Sequence, residues 1–257
     1  MPAPANILKH RLAASEVLHG LWLGMADPYA AEIAAGAGFD WVLVDGEHAP
    51  NDIRSLSAQF AAVRAAGGAL PLVRLPDDDP TKIKQVLDIG MQSLLVPMVE
   101  SAAQAERILR ATRYPPQGFR GVGAALARAS GFGAVPDYLT TANDEIFVMV
   151  QLESARGLDA LDAILRIEGL DGIFIGPSDL AADMGYLGQP AHPQVKAAVL
   201  DALARARAAG RAAGVLTADP AYIEACAGAG ANFIGVGVDV ALFSGALRGL
   251  AARYRAG

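Results

Sequence analysis

The chain has 257 residues, 53% hydrophobic and 19% charged, enough to bury a sizeable core as one large α/β barrel or two small domains. Its formal net charge of −6, with Lys and Arg scattered singly, leaves no basic stripe to neutralise a run of phosphates, so nucleic acid is not an expected partner. No apolar run approaches the roughly 20 residues that cross a bilayer, the N-terminal segment lacks a signal peptide's apolar core, and the single cysteine, Cys226, rules out an internal disulfide and a multi-cysteine metal site; no membrane association and a cytoplasmic location are expected.

In chain order the apolar, β-branched runs stand singly: GLWLGM (20–25), WVLVDG (41–46), LPLVRL (70–75), SLLVPMV (93–99), IFVMVQLE (146–153), GIFIG (172–176), AGVLT (213–217) and NFIGVG (232–237). Most are followed by an Ala-rich segment of helical periodicity and a Gly or Pro stop, which predicts parallel strands joined by helices. Eight such strands over about 250 residues predict a (β/α)8 TIM barrel, whose strands are covered on both faces and read as continuous apolar runs. No linker or low-complexity tract interrupts the pattern, so a single domain over 1–257 is expected. The interval between the fourth and fifth strands is about twice the usual βα repeat of roughly 20 to 30 residues. It contains the Gly- and Arg-rich stretch 113–133, expected to be a functional loop at the barrel mouth, with a bland surface excursion as the alternative. The tail from Val240 reads as a final amphipathic helix that covers the barrel or reaches a neighbouring subunit.

Catalytic groups in such barrels come from the C-terminal ends of the strands. Those ends carry Asp45, Glu47 and His48 after the second strand, Arg74 in the third, Gln151 and Glu153 in the fifth, and Ser178 and Asp179 after the sixth. Glu153 and Asp179 lie one βα unit apart and would face one mouth, two hard oxygen ligands suited to Mg2+ or Mn2+. The competing readings pair Glu153 with Arg156 and make Asp179 a helix cap. Gln151 shares a strand face with Glu153 and is either an orienting donor or a satisfied core amide. Arg74 needs an anion, supplied by the substrate or by an internal carboxylate such as Asp45. His48, flanked by carboxylates, suits a general base, with Asp88 of the next unit as a candidate partner. Glu47 stays unassigned. None of the four lysines ends a strand, which argues against imine chemistry; if carbonyl chemistry occurs here, a metal is the electrophile.

The stretches WVLVDGEHAPND, PLVRLP, LLVPMVES, YPPQGFRGVG, VQLES and GIFIGPSDLAADMG, in this order, resemble the metal-dependent pyruvate aldolases of the HpcH/HpaI family. The resemblance implies a TIM barrel assembled as a homohexamer with its last helix exchanged between subunits. It also implies cleavage of 4-hydroxy-2-oxo acids to pyruvate or hydroxypyruvate and an aldehyde, a place in aromatic catabolism, and a divalent ion: Mg2+ or Mn2+, with Co2+ or Zn2+ as further options. By position it implies Glu153 and Asp179 as metal ligands, His48 as base, Arg74 as the residue that stabilises the pyruvate enolate, and Asp88 as the acid paired with His48. Gln151 and Ser178 match positions that hold pyruvate, Asp45 matches one that holds metal-bound water, and the 113–133 loop is then expected to form the acceptor pocket, with Arg120 or Arg128 receiving an acidic aldehyde. Two other readings stand beside this one: a citrate-lyase-like enzyme acting on a CoA thioester, and a non-catalytic barrel that binds a 2-oxo acid.

Overall fold

The computed structural model describes residues 1–255. Strands β1 (Leu18–Leu23), β2 (Trp41–Asp45), β3 (Leu70–Arg74), β4 (Ser93–Val96), β5 (Phe147–Leu152), β6 (Gly172–Ile175), β7 (Ala212–Leu216) and β8 (Phe233–Val238) form a closed barrel in sequence order. All neighbours are parallel, and β8 closes on β1. Helices α1 (Ile7–Ala13), α2 (Pro28–Ala35), α3 (Ile53–Ala66), α4 (Pro80–Asp88), α5 (Ala102–Ala111), α6 (Tyr138–Thr141), α7 (Ala155–Asp159), α8 (Leu161–Leu165), α9 (Pro177–Asp183), α10 (Pro193–Ala208), α11 (Pro220–Gly228) and α12 (Asp239–Arg255) precede, surround and follow it. All eight expected strands are present. β4 is shorter than expected and stops at Val96, because Pro97 has no N–H to give the ladder.

The strand alternation divides the core. Outward residues such as Val42, Val44, Val148 and Ile173 pack against the helices. Inward residues, Trp41, Leu43, Leu72, Met149, Phe174 and Phe233 among them, fill the barrel, and Leu8 and Leu12 of α1 close its N-terminal end. A Cβ on Gly20 would lie 2.0 Å from the Trp41 ring, so the wall is glycine where the indole, stacked on Phe233 at 3.9 Å, needs the space. The inward series of period two then continues past the apolar fill: Trp41 and Leu43 lead to Asp45, Leu70 and Leu72 to Arg74, and Phe147 and Met149 to Gln151 and Glu153. That continuation makes the C-terminal mouth polar.

The 113–133 segment does not lie at this mouth. α5 runs back from the end of β4 towards the N-terminal end of the barrel, and β5 begins there, so the segment between them, including Arg120 and Arg128, flanks the floor. Arg128 lies over the Phe60 ring of α3, and Arg120 is buried against Tyr114 with Nη2 2.6 Å from Asp88 Oδ1. Neither arginine can receive an aldehyde in this chain's own mouth. α12 buries none of its residues and exposes Leu242, Phe243, Leu247 and Leu250; its first residue, Asp239, ties it to the barrel by accepting from the backbone N–H groups of Gly24 and Met25. The last two residues of the expected helix, 256 and 257, lie outside the described residues.

Candidate active site

Register places Asp45 directly beside Arg74. The Arg74 guanidinium donates from Nε to Asp45 Oδ1 at 2.9 Å and from Nη2 to Asp45 Oδ2 at 2.5 Å, and it sits over the Trp22 ring 5.0 Å from the centroid. Its anion is therefore the internal carboxylate. Asp45 also accepts from Trp22 Nε1 at 3.2 Å and from the backbone N–H groups of Glu47 and His48 at 3.0 and 3.4 Å. With both oxygens accepting, Asp45 orients Arg74 and the 47–48 turn.

Burial opposes ionisation of Asp45, but its bonds from Arg74, Glu47 N–H and Trp22 prevail and hold it below the usual carboxylate range. A depressed folded-state pKa contributes stability that is complete above the unfolded value, about 4, and is lost as pH falls through the folded one. Asp45→Asn leaves the buried guanidinium short of an anion and is expected to cost about 3 kcal/mol at neutral pH. Thermal unfolding against pH should show the gap between wild type and variant narrowing below about pH 4; a gap independent of pH would refute this role.

Glu47, unassigned in the sequence, belongs to the site. Its Oε2 lies 2.9 Å from Arg74 Nη1, an ion pair at an angle that makes no hydrogen bond. Burial, reinforced by Asp45 and Asp179 and opposed by Arg74 and His48, raises its pKa. Glu153 is raised in the same way, by burial and by Glu47 and Asp179, against bonds from Gln151 and the Met98 N–H. Gln151 Nε2 donates to Glu153 Oε2, while Gln151 Oε1 is buried without a partner. A Cβ on Gly176 would come within 2.7 Å of Glu153 Oε2, so the chain between β6 and α9 is glycine where the carboxylate crosses it.

These residues fit a divalent cation. Burial and the neighbouring carboxylates, Asp179 among them, oppose ionisation of Glu47 and Glu153, which a cation between them would reverse. Among the described residues no group of three or more His, Cys, Asp and Glu is arranged for direct ligation. Two carboxylates with the remaining positions left to water and substrate suit Mg2+ or Mn2+ better than a closed zinc site. The competing pairings are not made: Arg156 pairs with Glu100, and α9 has Gly176 as N-cap with no side-chain cap, leaving Asp179 in the first turn. Pro177 at N1 and the following Ser178 present an N-terminal turn whose Ser178 N–H has no intrahelical acceptor.

His48 stands on the rim with 68% of its side chain exposed, Nε2 4.0 Å from Glu47 Oε1. Asp88 does not meet it. α4 ends at Asp88 on the floor side, where Asp88 accepts from Arg120, so within one chain the two stand at opposite ends of the barrel. The mouth itself is a cleft of about 500 Å³ lined by Trp22, His48, Arg74, Gln151, Ser178 and Asp179 on one side and by Leu216, Tyr222, Val238 and Lys196 on the other. Lys196 reaches the mouth although it ends no strand. Its signal was its place in the first turn of α10, where a cation opposes the helix dipole. A second cavity, about 380 Å³, lies at the floor between Lys9, Arg113 and Asp171, whose polar groups bond one another and nearby carbonyls.

The sequence model described as HpcH/HpaI aldolase/citrate lyase matches residues 18–246. The chain belongs to that family. It is 55% identical over 255 residues to a hydroxypyruvate/pyruvate aldolase of Roseovarius nubinhibens, covering 99% of each chain. It is 49% identical to a 4-hydroxy-2-oxo-heptane-1,7-dioate aldolase of Salmonella dublin, covering 98% of this chain and 95% of that one. A crystal structure of a family protein from Burkholderia cenocepacia J2315 superposes with a TM-score of 0.93 at 41% identity, covering 98% of this chain and all of that one.

Proposed function

We propose that this family member is a divalent-metal-dependent aldolase that reversibly cleaves 4-hydroxy-2-oxo acids to pyruvate or hydroxypyruvate and an aldehyde. The observation that carries the reading is the mouth itself: Asp179, a guanidinium fixed by Asp45 and Glu47, and a rim imidazole line one cleft, and beside them Glu153 is a carboxylate whose ionisation burial and its neighbours oppose. The names of the relatives support the same chemistry with either donor.

Glu153 and Asp179 would hold the metal, with Mg2+ or Mn2+ favoured by the all-oxygen donors and Co2+ or Zn2+ as further candidates. When bound, it supplies Lewis acidity to the carbonyl of the 2-oxo acid. The free N–H of Ser178 and the Gln151 amide orient the donor. His48 takes the proton of the 4-hydroxyl as the bond between C3 and C4 breaks, releasing the aldehyde. Arg74, pinned by Asp45 and Glu47, stabilises negative charge on the enolate oxygen left behind, a preorganised donor aimed where charge develops, and protonation of that enolate at C3 gives pyruvate or hydroxypyruvate. Glu47, coupled to both Arg74 and Asp179, completes the polar wall.

The oligomer belongs to the same proposal. α12 with its apolar side chains uncovered is suited to exchange with a second copy in a homohexamer. Asp88 can serve His48 only across such a contact, because its own chain holds it at the floor. Among the described residues that line the mouth, Arg74 and Lys196 are the arginine and lysine, and they lie on opposite sides, so the CoA reading finds no cationic cluster for its phosphates. A non-catalytic barrel has no use for a rim histidine beside a fixed arginine. The test follows pyruvate release from a 4-hydroxy-2-oxo acid with lactate dehydrogenase and NADH: metal-dependent NADH oxidation is expected. None with any 4-hydroxy-2-oxo acid, against turnover of a CoA thioester, would replace this reading with the lyase.

A further inference from the structure

The side of the cleft formed by β7, β8 and α10 takes no part in the chemistry above. Leu216, Val238 and Ala241 give it an apolar wall, and Lys196 is the one cation on it. The Lys196 ammonium lies 4.4 Å from the centroid of the Tyr222 ring and 3.7 Å from Asp219 Oδ2, beyond hydrogen-bonding reach. Asp219 is otherwise occupied in capping α11, where its Oδ1 accepts from Ala221 N–H at 3.1 Å. Lys196 is 31% exposed, so most of its side chain is already out of water.

Its position is locally unfavourable. α10 starts at Pro193 with His192 as N-cap, which places Lys196 at the end of the first turn, where the helix dipole is positive and a cation is disfavoured. A half-buried ammonium set against a dipole, resting on an aromatic face and paired with Asp219 without a hydrogen bond, is a local conflict of the kind that marks functional positions. At this end of the cleft the helix terminus and the ammonium face a single carboxylate, Asp219, whereas Asp179 lines the opposite side.

We propose that Lys196 is a specificity residue for the aldehyde: it binds a carboxylate at the far terminus of the aldehyde, whose carbonyl end meets the enolate beside His48 and whose methylenes lie on the Leu216 and Val238 wall. This rests on the aldolase reading and reassigns the anion contact from the floor arginines Arg120 and Arg128 to α10. Asp219 keeps the ammonium near the mouth when no aldehyde is bound, at a distance that leaves its protons available.

The experiment compares succinic semialdehyde with butanal, four carbons each, as acceptors for pyruvate in wild type, Lys196→Gln and Lys196→Arg. For Lys196→Gln, KM for succinic semialdehyde is expected to rise roughly tenfold or more, the value of a charge-assisted hydrogen bond. The ratio of kcat/KM for the two aldehydes should fall by the same factor, with kcat little changed, and Lys196→Arg should restore most of it. Equal effects on both aldehydes, or none, would overturn the proposal. Calorimetric titration of succinic semialdehyde into each protein without pyruvate is the second readout. If wild type makes no aldol, the aldolase reading fails, while weaker binding to Lys196→Gln still supports the lysine and equal binding still refutes it.

Discussion

EDTA is expected to abolish pyruvate release, and Mg2+ or Mn2+ to restore it. The largest single contribution to cleavage comes from polarising the carbonyl, and the protein offers no lysine at a strand end to do so as an imine, so its loss should lower turnover by at least about 10³-fold. Glu153→Gln is the matching substitution. It keeps the shape, and the Met98 N–H can still bond the amide oxygen. The new amide nitrogen would face Gln151 Nε2, but Gln151 can flip and present Oε1, which has no partner in the native chain. The variant should therefore fold. Removing a buried carboxylate whose ionisation is opposed by burial and by Glu47 and Asp179 should leave the metal-free protein as stable as wild type or more so. Mn2+ should raise Tm of wild type and not of the variant, a consequence of binding only the folded state. Full activity after rigorous chelation, or an undiminished Mn2+ shift in Glu153→Gln, would refute the metal site.

Arg74→Lys should lower kcat by roughly 10²- to 10³-fold, the scale for losing a preorganised donor to a developing oxyanion. Lysine keeps the charge but cannot bond both Asp45 oxygens in a fork, approach Glu47 and face the enolate at once. Arg74→Ala is the poorer test, since Asp45 and Glu47 would be left buried without a counter-ion at a cost of about 3 to 5 kcal/mol. Metal affinity of Arg74→Lys, measured by Mn2+ titration, should stay within a few fold of wild type. Turnover equal to wild type would remove Arg74 from the mechanism; lost metal binding would make it a structural support for the carboxylates.

By itself the sequence determined the barrel, because eight apolar runs spaced by helical segments bury both faces of every strand, and a local period of two is enough to expose that. It also determined most of the mouth: Asp45, Arg74, Gln151 and Glu153 end inward-facing series, and Asp179 follows β6 in the first turn of α9. Only the tertiary structure decided how those groups divide the work. Asp45 and Arg74 satisfy each other because strand register sets them side by side, a pairing across 29 residues that no local pattern encodes. Glu47 joins the site because the turn after β2 folds its carboxylate back over Arg74. The direction of α5 sends the 113–133 segment, and α4 sends Asp88, to the floor, since a helix after a parallel strand must run back to where the next strand starts. Lys196 reaches the mouth in the opposite way, from the N-terminus of α10, whose approach to the cleft depends on packing of the β6 to β7 connection. Strand ends are legible along the chain; which helix ends and loop residues converge on them depends on three-dimensional packing, and that is where the reading of this sequence had to be corrected.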